Sequence, residues 1–558
     1  MQIIIPMSGF GVRFRNAGFN IPKALIEIEG RPMIAHVIGM FPGEKKFIFI
    51  CNQEHLDDST YCMEELLLKY CPSAKVVGIP PHKLGPIHAI LSVEKHIESK
   101  SPVVVNYCDF TCYWSWGHFK NFLNQSECKG AIPAYKGFHP HSLGSTNYAY
   151  IKESNGWIDD IQEKQPFTNN RMEEYASSGT YYFSSGELMI NSFKETIKHD
   201  LNVGGEFYVS LAYKALFAKN FPVAVYPIQH FMQWGTPEDV KEYIGWSKAF
   251  RGLVNKKEYS NKSRGAIVIP MAGLGKRFKN EGYKITKPLI PVSGKSMVAQ
   301  AVYDLPRADH VVFVIRSDMR GYSDIKAELQ ALYPSGIFKT IKHVTQGQAC
   351  TAMLGLNELK VQHSEIEGPI TIGACDSGAL YSKETFEKLA NDQSIDVIVW
   401  GVRAYPNAIR NPNMYGWIDA VDGEVRQISV KTPLKNPETD PIVLGVFTFR
   451  NSQIYCEALE KLIERDGRVN EEFYIDSLIN EAINLGMKCS LFEVESFLCW
   501  GTPNDLRTFE YWQSCLHKWD SHPYRLELDE RVPKQKVSSL SLKYAAIFPE
   551  VLRPRYDE

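Results

Sequence analysis

The chain has 558 residues, 44% of them hydrophobic and 12% aromatic, so it can bury more than one sizeable core. Its net charge of −2 lacks the basic excess typical of nucleic-acid binders, and its twelve cysteines, without a C-x-x-C pair, argue against a zinc site or a disulfide scaffold. No apolar run is long enough for a membrane helix and no basic leader opens the chain, so we expect a cytoplasmic protein with no membrane or nucleic-acid partner.

Short β-branched runs alternate with helical stretches along the chain. The predicted strands are Ile3–Pro6, Lys46–Cys51, Val103–Tyr107, Ile267–Pro270, Val311–Ile315 and Ile370–Gly373. The predicted helices include Pro86–Ile97 and Ala349–Leu359. This alternation predicts an α/β fold with a mostly parallel sheet flanked by helices. In such sheets ligands bind beyond the carboxyl ends of the strands.

The second half of the chain repeats the first. Residues 2–33, QIIIPMSGFGVRFRNAGFNIPKALIEIEGRPM, match residues 266–297, AIVIPMAGLGKRFKNEGYKITKPLIPVSGKSM. The match keeps nearly constant register as far as a W-G-T-P motif at 234–237 and 500–503, which chance does not produce. We therefore predict two tandem Rossmann-like domains, at residues 1–245 and 265–520. A polar linker at 246–264 would join them, and a tail at 521–558 would pack over the domains or an oligomer partner.

Each repeat opens with G-x-G-x-R-F directly after a strand. The two glycines let backbone N–H groups approach a phosphate closely, and the arginine can fork onto phosphate oxygens. A lysine follows among apolar residues, where its ammonium needs an anion. These residues are Gly9, Gly11, Arg13 and Lys23 in the first repeat and Gly273, Gly275, Arg277 and Lys287 in the second.

The order G-x-G-x-R-F, then (P/T)-K-(A/P)-L-I, then G-x-x-M resembles the sugar-phosphate nucleotidyltransferase superfamily, the nucleoside-diphosphate-sugar pyrophosphorylases. The resemblance covers both repeats almost end to end. It implies two nucleotidyltransferase domains that use an NTP and a phosphorylated small-molecule acceptor, with a sugar phosphate favoured, Mg²⁺ as cofactor and pyrophosphate as product. It gives Arg13, Lys23, Arg277 and Lys287 catalytic roles, because they would hold the triphosphate and stabilise the leaving pyrophosphate.

Other site residues carry over from the family's motifs one by one. Mg²⁺ would bind Asp109 and Asp376, each at the end of a strand, where a carboxylate beside phosphates suits a hard cation. The predicted nucleotide-binding residues are Gly9, Gly11, Gly85, Gly273, Gly275, Gln346 and Gly347. The predicted acceptor-binding residues are Glu163, Lys164, Gly179, Lys431 and Gly445.

The repeats depart from the family pattern at three places. Pro86 removes a backbone donor from the first base-binding segment. Val430 stands where the first repeat has Glu163, which puts the second repeat's acceptor in doubt. Gln233 and Cys499 stand where many members carry a second magnesium aspartate, so either another residue completes the site or one carboxylate suffices.

Several versions of the function stay open. Both repeats are active, or one catalyses while the other is regulatory or structural. A glycosyltransferase that uses a nucleotide sugar is a third version, but the Asp-x-Asp motif typical of that class is missing at Asp109 and Asp376. A non-catalytic binding protein fits poorly with an arginine and two lysines kept in both repeats. In the favoured version the product is an activated precursor for surface polysaccharide, and homo-oligomer formation stays open.

Overall fold

The structure, a computed structural model, describes residues 1–255, 263–363 and 366–553. By its internal contacts the chain divides into two units. Unit 1 comprises Met1–Ile244, His517–His522 and the chain from Tyr544 onward; unit 2 comprises Gly245–Leu516 and Pro523–Lys543. Each unit thus takes in part of the predicted tail. Residues 256–262 of the predicted linker lie outside the described residues.

The elements up to residue 255 belong to the first repeat. Its strands are β1 (Gln2–Met7), β2 (Glu27–Ile28), β3 (Arg31–Pro32), β4 (Lys46–Asn52), β5 (Lys75–Ile79), β6 (Val103–Asn106), β7 (Phe110–Tyr113), β8 (Gly130–Tyr135), β9 (Ala149–Ser154), β10 (Trp157–Glu163), β11 (Tyr175–Ser177), β12 (Thr180–Phe183), β13 (Val223–Pro227) and β14 (His230–Gln233). Its α-helices are α1 (Val12–Asn16), α2 (Met33–Gly39), α3 (Gln53–Asp57), α4 (Met63–Tyr70), α5 (Pro86–Leu91), α6 (Trp116–Ser126), α7 (Gly186–Lys198), α8 (Tyr213–Phe217) and α9 (Pro237–Val254).

The elements after residue 262 follow the same plan. The strands are β15 (Ala266–Pro270), β16 (Pro291–Val292), β17 (Lys295–Ser296), β18 (His310–Arg316), β19 (Ile337–Ile341), β20 (Ile370–Ile372), β21 (Ser377–Leu380), β22 (Val397–Val402), β23 (Gly416–Val421), β24 (Glu424–Val430), β25 (Ile442–Phe449), β26 (Cys489–Glu493) and β27 (Ser496–Cys499). The α-helices are α10 (Lys276–Asn280), α11 (Met297–Tyr303), α12 (Tyr322–Leu332), α13 (Gln348–Gln362), α14 (Lys383–Asn391), α15 (Pro406–Arg410), α16 (Ser452–Glu464), α17 (Ile475–Asn484), α18 (Pro503–Lys518) and α19 (Lys534–Lys543). Among the residues that the structure describes, no helix combines the length and apolarity that crossing a bilayer requires.

A large sheet forms the centre of each unit. Among the described residues of unit 1, the large sheet has ten strands in the order β5-β4-β1-β6-β12-β8-β13-β10-β9-β11. The first four strands are parallel, β12 then runs antiparallel to β6, and the rest of the sheet is mixed. Unit 2 has the order β19-β18-β15-β20-β25-β22-β26-β24-β23, with one long strand, β25, in the place of β12 and β11. The predicted α/β fold is confirmed in both units. Each sheet is parallel around β1 or β15, the first strand of the unit along the chain, and mixed in the rest of the sheet.

The first strand of each unit is buried on both faces. Ile3, Ile4 and Ile5 are 0% exposed. Because successive side chains of a strand point to opposite faces, Ile3 and Ile5 pack in one hydrophobic cluster and Ile4 in another. Val268 and Ile269 divide between two clusters in the same way. Burial on both faces explains why these strands read as continuous apolar runs.

Parallel pairing brings the predicted motifs to one sheet edge in each unit. β1 and β6 are parallel neighbours, so the loops that follow Met7 and Asn106 leave the sheet on the same side. β15 and β20 are parallel neighbours in unit 2. The glycine loops and the loops that carry Asp109 and Asp376 therefore lie beyond the carboxyl ends of adjacent strands, as expected.

The predicted helix Pro86–Ile97 is wrong in its second half. Helix α5 is followed by a 3₁₀ turn at Glu94–His96. Ser92 Oγ donates to Ala89 O at 2.7 Å, and the N–H of Val93 bonds three residues back instead of four. The serine hydroxyl thus takes the carbonyl that the next helical N–H would use, and the helix ends there.

Candidate active site

The glycine loop of each unit turns the chain from a strand into a short helix. Gly11 has a φ of 62° and Gly275 a φ of 60°, a left-handed conformation that side chains disfavour. A Cβ built on Gly9 or Gly273 would meet no atom within 4 Å, and neither residue has a left-handed φ. The backbone conformation therefore favours glycine at 11 and 275, whereas at 9 and 273 the conformation does not favour glycine and open space lies in front of the backbone.

We expect Gly11→Ala to lower the free energy of unfolding of unit 1 by about 1–2 kcal/mol, because a Cβ in this conformation crowds the following carbonyl. Gly9→Ala is the matched control, since it adds the same methyl group where the backbone and the space allow it. Thermal unfolding followed by circular dichroism compares the variants. Equal midpoints for the two would contradict the expectation.

An ion pair joins two residues that are distant in sequence. Lys23 Nζ contacts Asp109 Oδ2 in unit 1. Lys287 Nζ lies 2.5 Å from Asp376 Oδ2 in unit 2 and also donates to Gly501 O at 3.1 Å. The lysine side chains keep 23% and 20% exposure, so a ligand can reach them. The predicted phosphate-binding lysine and the predicted metal-binding aspartate thus meet at one point in each repeat.

The phenylalanine of G-x-G-x-R-F lies against this lysine. Lys23 Nζ is 5.5 Å from the centre of the Phe14 ring, and Lys287 Nζ is 5.8 Å from that of Phe278. Both rings are 2% exposed. At these distances an aromatic face attracts an ammonium group. The motif therefore contributes a buried ring that supports the lysine beside the arginine that precedes it.

The charge of the aspartate keeps the two lysines protonated. Burial is the strongest single influence on Lys23 and would by itself lower its pKa, but the attraction of Asp109 and nearby groups outweighs burial and raises the pKa. Burial and Asp376 oppose each other in the same way at Lys287, whose pKa is also raised. Both lysines therefore carry a positive charge at neutral pH.

The W-G-T-P motif is held against the aspartate by a two-stranded sheet. β7 pairs with β14 in unit 1, and β21 with β27 in unit 2. Trp234 N donates to Asp109 O at 2.7 Å, and Trp500 N donates to Asp376 O at 2.9 Å. Both indole rings are 0% exposed. The tryptophans are therefore core residues whose backbone fixes the aspartate loop.

Two further aspartates, Asp239 and Asp505, follow the W-G-T-P motifs, and the sequence alone did not lead us to predict them. Asp239 Oδ2 accepts from Thr236 N at 2.9 Å while Asp239 N donates to Thr236 Oγ1 at 3.2 Å, which is a capping box at the start of α9. Asp505 and Thr502 repeat these bonds at the start of α18. Burial raises the pKa of Asp239 to about 6. The recurrence of the aspartate after each W-G-T-P motif was a signal that comparison of the repeats could have found.

The donor set at this edge fits a magnesium ion held by few protein ligands. A Cβ built on Gly235 would lie 3.4 Å from Asp109 Oδ2 and 3.8 Å from Asp239 Oδ2, so both carboxylates face the same glycine. The described part of the chain contains no group of three or more His, Cys, Asp or Glu residues that could enclose a metal ion. One or two carboxylates completed by substrate phosphates and water is a usual ligand set for Mg²⁺.

The predicted acceptor residues of unit 1 lie at the end of β10. Lys164 has a φ of 57°, which is strained for a residue with a side chain, and its Nζ donates to Tyr208 OH at 2.5 Å. Glu163 Oε2 accepts from Ser210 Oγ at 2.5 Å. Burial raises the pKa of Glu163. The strand end therefore presents an ammonium and a carboxyl group side by side.

The matching lysine of unit 2 has different partners. Lys431 has a φ of 58°, and its Nζ donates to Met414 O. Burial lowers the pKa of Lys431. The negative charge of Asp476 opposes this effect, and the positive charge of Arg277 adds to it. In unit 1, burial raises the pKa of Tyr208, whose hydroxyl contacts Lys164, and the positive charge of Arg13 opposes that rise. The arginine of each glycine loop is therefore close enough to the predicted acceptor side to act on its charges.

Gly179 and Gly445 occupy different settings. Gly179 lies between β11 and β12, and its carbonyl accepts from Tyr107 N at 3.1 Å. Gly445 lies inside the unbroken strand β25. The positive φ of Gly445, 80°, coincides with a register shift in the pairing of β22 with β25 between Val399 and Gly401. The glycine with positive φ thus lies at a local bulge in unit 2 and at a break between two strands in unit 1.

Gly85 and Gly347 place the base-binding segments against the backbone of the E-F-Y segments. Phe207 N donates to the carbonyl before Gly85 at 3.0 Å, and Phe473 N donates to Gln346 O at 2.8 Å. A Cβ on Gly85 would come within 2.7 Å of Phe207 N, and one on Gly347 within 2.5 Å of Phe473 N. Only glycine fits at either position.

Pro86 leaves the backbone hydrogen bonds of the first of these segments in place. It is the first residue of α5, where a backbone N–H has no helical partner to lose. The next N–H, of Ile87, donates to Phe207 O at 3.2 Å, as the matching N–H does in unit 2. The two segments therefore share these backbone hydrogen bonds and differ in side chains, with Leu84 where unit 2 has Gln346.

Part of the chain is similar to known proteins. Residues 3–168 match the family described as the MobA-like NTP transferase domain. The bifunctional protein GlmU of Alkaliphilus metalliredigens is 23% identical over 236 residues, which are 41% of this chain and 48% of that protein. The chain therefore spans about half the length of this curated relative.

Two solved structures are similar over a little less than half of this chain. The nucleoside-diphosphate-sugar pyrophosphorylase of Vibrio cholerae RC9 is 22% identical, over 44% of this chain and 98% of its own, with a TM-score of 0.36. The inositol-1-phosphate CTP transferase of T. maritima is 16% identical, over 46% of this chain and 96% of its own, with a TM-score of 0.35. The family match at residues 3–168 includes the glycine loop, Lys23 and Asp109 of unit 1, and confirms the expected resemblance to nucleotidyltransferases for this part of the chain.

Proposed function

We propose that each repeat transfers a nucleoside monophosphate from an NTP to a phosphorylated acceptor, with a sugar phosphate favoured, and releases pyrophosphate. The observation that carries this proposal is the lysine–aspartate pair beside the glycine loop, which recurs in both units. A cation and a carboxylate at one sheet edge are what a triphosphate and its metal ion require. The product would be an activated nucleotide-linked precursor, and we propose surface polysaccharide as its destination.

The reaction needs no protein nucleophile. An oxygen of the acceptor phosphate attacks the α-phosphorus of the NTP, a new phosphorus–oxygen bond forms, and the bond to the bridging α,β-oxygen breaks. Arg13 and Lys23 hold the triphosphate and neutralise the pyrophosphate that leaves, while Lys164 holds the attacking phosphate. Arg277, Lys287 and Lys431 have these roles in the second repeat. Positioning two anions and neutralising developing charge supply the rate enhancement.

Magnesium belongs to this proposal as the cofactor. Asp109 would hold the ion in the first repeat and Asp376 in the second, and the ion would neutralise charge on the phosphate oxygens. Asp239 faces the same glycine as Asp109 and is the nearest candidate for a second carboxylate ligand. Lys23 pairs with Asp109 and would move onto the triphosphate as nucleotide enters.

The proposal is tested by pyrophosphate release from the full-length chain. ATP, CTP, GTP, UTP and dTTP are each combined with glucose 1-phosphate, N-acetylglucosamine 1-phosphate, inositol 1-phosphate, glycerol 3-phosphate and phosphocholine in the presence of Mg²⁺. We expect release that depends on both the NTP and the acceptor. Release from an NTP alone, at the same rate with or without acceptor, would indicate hydrolysis and overturn the proposal.

We expect Gly9→Ala to raise the KM for the NTP by roughly ten- to a hundred-fold, because its methyl group would enter the open space where the phosphates are proposed to lie. The fold should be unaffected, since no protein atom lies within 4 Å of that methyl position. Steady-state kinetics with varied NTP check the result. An unchanged KM for the NTP would place the phosphates elsewhere.

A further inference from the structure

The two repeats can be compared residue by residue at the acceptor side. β10 ends at Glu163 and β24 ends at Val430, and each is followed by a lysine with a left-handed φ. Lys164 N donates to Tyr148 O at 2.8 Å, and the matching N–H in unit 2 donates to the matching tyrosine carbonyl at 3.1 Å. Glu163 and Val430 therefore occupy the same structural position, and unit 2 has no carboxylate there.

At a second position, unit 2 has a carboxylate where unit 1 has none. Ser210 is the second residue after Tyr208 in unit 1, and Asp476 is the second residue after Tyr474 in unit 2. Ser210 Oγ donates to Glu163 Oε2 at 2.5 Å, so these two positions are adjacent in space. The pair is glutamate with serine in unit 1 and valine with aspartate in unit 2. The carboxylate has moved from the end of a strand to the start of helix α17.

A third position also differs: unit 1 has Ala149 where unit 2 has Gly416. Ala149 pairs with Glu163 across β9 and β10, and Gly416 pairs with Val430 across β23 and β24. A Cβ on Gly416 would lie 2.4 Å from Asp476 Oδ2, closer than a carbon and an oxygen can approach. The observed position of the Asp476 side chain therefore depends on glycine here, and an alanine, as in unit 1, would displace that carboxylate.

The carboxylate of Asp476 acts on the charge of Lys431, the predicted acceptor-binding lysine of unit 2. It is the strongest attractive influence on Lys431, as Lys164 is an attractive influence on Glu163. Across residues 1–255, 263–363 and 366–553, no side chain donates a hydrogen bond to the Asp476 carboxylate, and the residue keeps partial exposure. The carboxylate accepts a hydrogen bond from its own backbone N–H and keeps further acceptor positions for hydroxyl groups of a ligand.

We propose that Asp476 is the acceptor-binding carboxylate of the second repeat, in the place of Glu163, and that it selects a hydroxyl-bearing phosphorylated acceptor different in shape from the first repeat's. This inference rests on the proposed nucleotidyltransferase function. Lys431 holds the acceptor phosphate while Asp476 accepts hydrogen bonds from the hydroxyl groups. Because the carboxylate projects from a helix rather than from a strand end, the two repeats hold these hydroxyl groups at different distances from the phosphate.

The test uses the full-length chain with Lys23→Ala, so that only the second repeat can turn over. On the best NTP and acceptor pair from the panel above, Asp476→Ser should raise the KM for the acceptor by about ten-fold or more and change the KM for the NTP by less than about two-fold. Asp476→Asn, which keeps the size of the side chain, should have the same effect with an unchanged thermal midpoint. A merely structural role would change both KM values or the midpoint.

Transplanting the unit 1 arrangement provides a rescue. The triple variant Gly416→Ala, Val430→Glu and Asp476→Ser should recover a KM for the acceptor below that of Asp476→Ser and shift its preference within the panel toward the acceptor of the first repeat. An acceptor KM that Asp476→Ser leaves unchanged, or no recovery in the triple variant, overturns the inference and leaves the proposed function in place.

Failure of the function itself has a different signature. Release by the unmodified chain that disappears entirely in Lys23→Ala would make the first repeat the only active one and overturn the inference. No release by the unmodified chain on any pair overturns both the inference and the proposed function.

Discussion

Lys23→Ala is expected to lower pyrophosphate release by the first repeat about 100- to 1,000-fold, and Lys287→Ala to do the same to the second. Each lysine pairs with the aspartate and lies against the phenylalanine of the G-x-G-x-R-F motif, and its ammonium would neutralise the leaving pyrophosphate. Replacing it removes a contact that strengthens as that charge develops. The loss should therefore fall mainly on kcat. Initial rates on the NTP and acceptor pair used by each repeat measure it.

Lys46→Ala is the matched control. Lys46 also pairs with a carboxylate, Glu98 at 2.6 Å, but it is 60% exposed and begins β4, at the opposite edge of the sheet. Its rates should equal those of the unmodified chain. If neither Lys23→Ala nor Lys287→Ala lowers turnover on any productive pair, the mechanism is wrong. If only one does, the other repeat is not catalytic for that pair.

Asp109→Asn and Asp376→Asn are expected to cost at least about 100-fold in rate and to raise the Mg²⁺ concentration needed for half-maximal activity. The amide keeps the shape of the side chain and still accepts a hydrogen bond from the lysine, so the fold should persist. The pair is part-exposed, which limits the expected change in unfolding free energy to about 1 kcal/mol. Rates measured across a Mg²⁺ titration, with thermal unfolding alongside, separate these effects.

Asp239→Asn provides the comparison for this experiment. Asp239 caps α9 through Thr236, so its replacement should lower the thermal midpoint. Its effect on the Mg²⁺ requirement should be smaller than that of Asp109→Asn if Asp109 is the principal ligand. A larger effect would make Asp239 the principal ligand and contradict the assignment of Asp109.

Much of the architecture was predictable because it depends on local patterns that recur. The apolar runs at Ile3–Pro6 and Ile267–Pro270 are buried parallel strands, as predicted, since only a central strand tolerates such composition on both faces. The end of α5 was not predictable, because Ser92 competes for a helical carbonyl only once the backbone is already helical. The strand order beyond β6 depends on long-range pairing that no local pattern encodes.

At the candidate site, residue types were predictable and their partners were not. Lys23 and Asp109 were singled out for separate reasons, and only the fold brings them into contact. Asp239 was missed because its signal is the recurrence of an aspartate after each W-G-T-P motif, which only comparison of the repeats beyond that motif reveals. Asp476, the proposed acceptor ligand, gives no signal when the repeats are aligned, because a carboxylate at a different position reads as a loss at one site and an unrelated substitution at another.

Each lysine–aspartate pair is built entirely from residues of one unit: Lys23 with Asp109, and Lys287 with Asp376. Neither pair borrows a residue from the other repeat, so a substitution in one copy need not be matched in the other. Such independence allows a duplicated gene to retain one reaction while the second copy acquires a new one. Fusion in a single polypeptide then fixes the cellular ratio of the two sites at one to one, whatever the expression level.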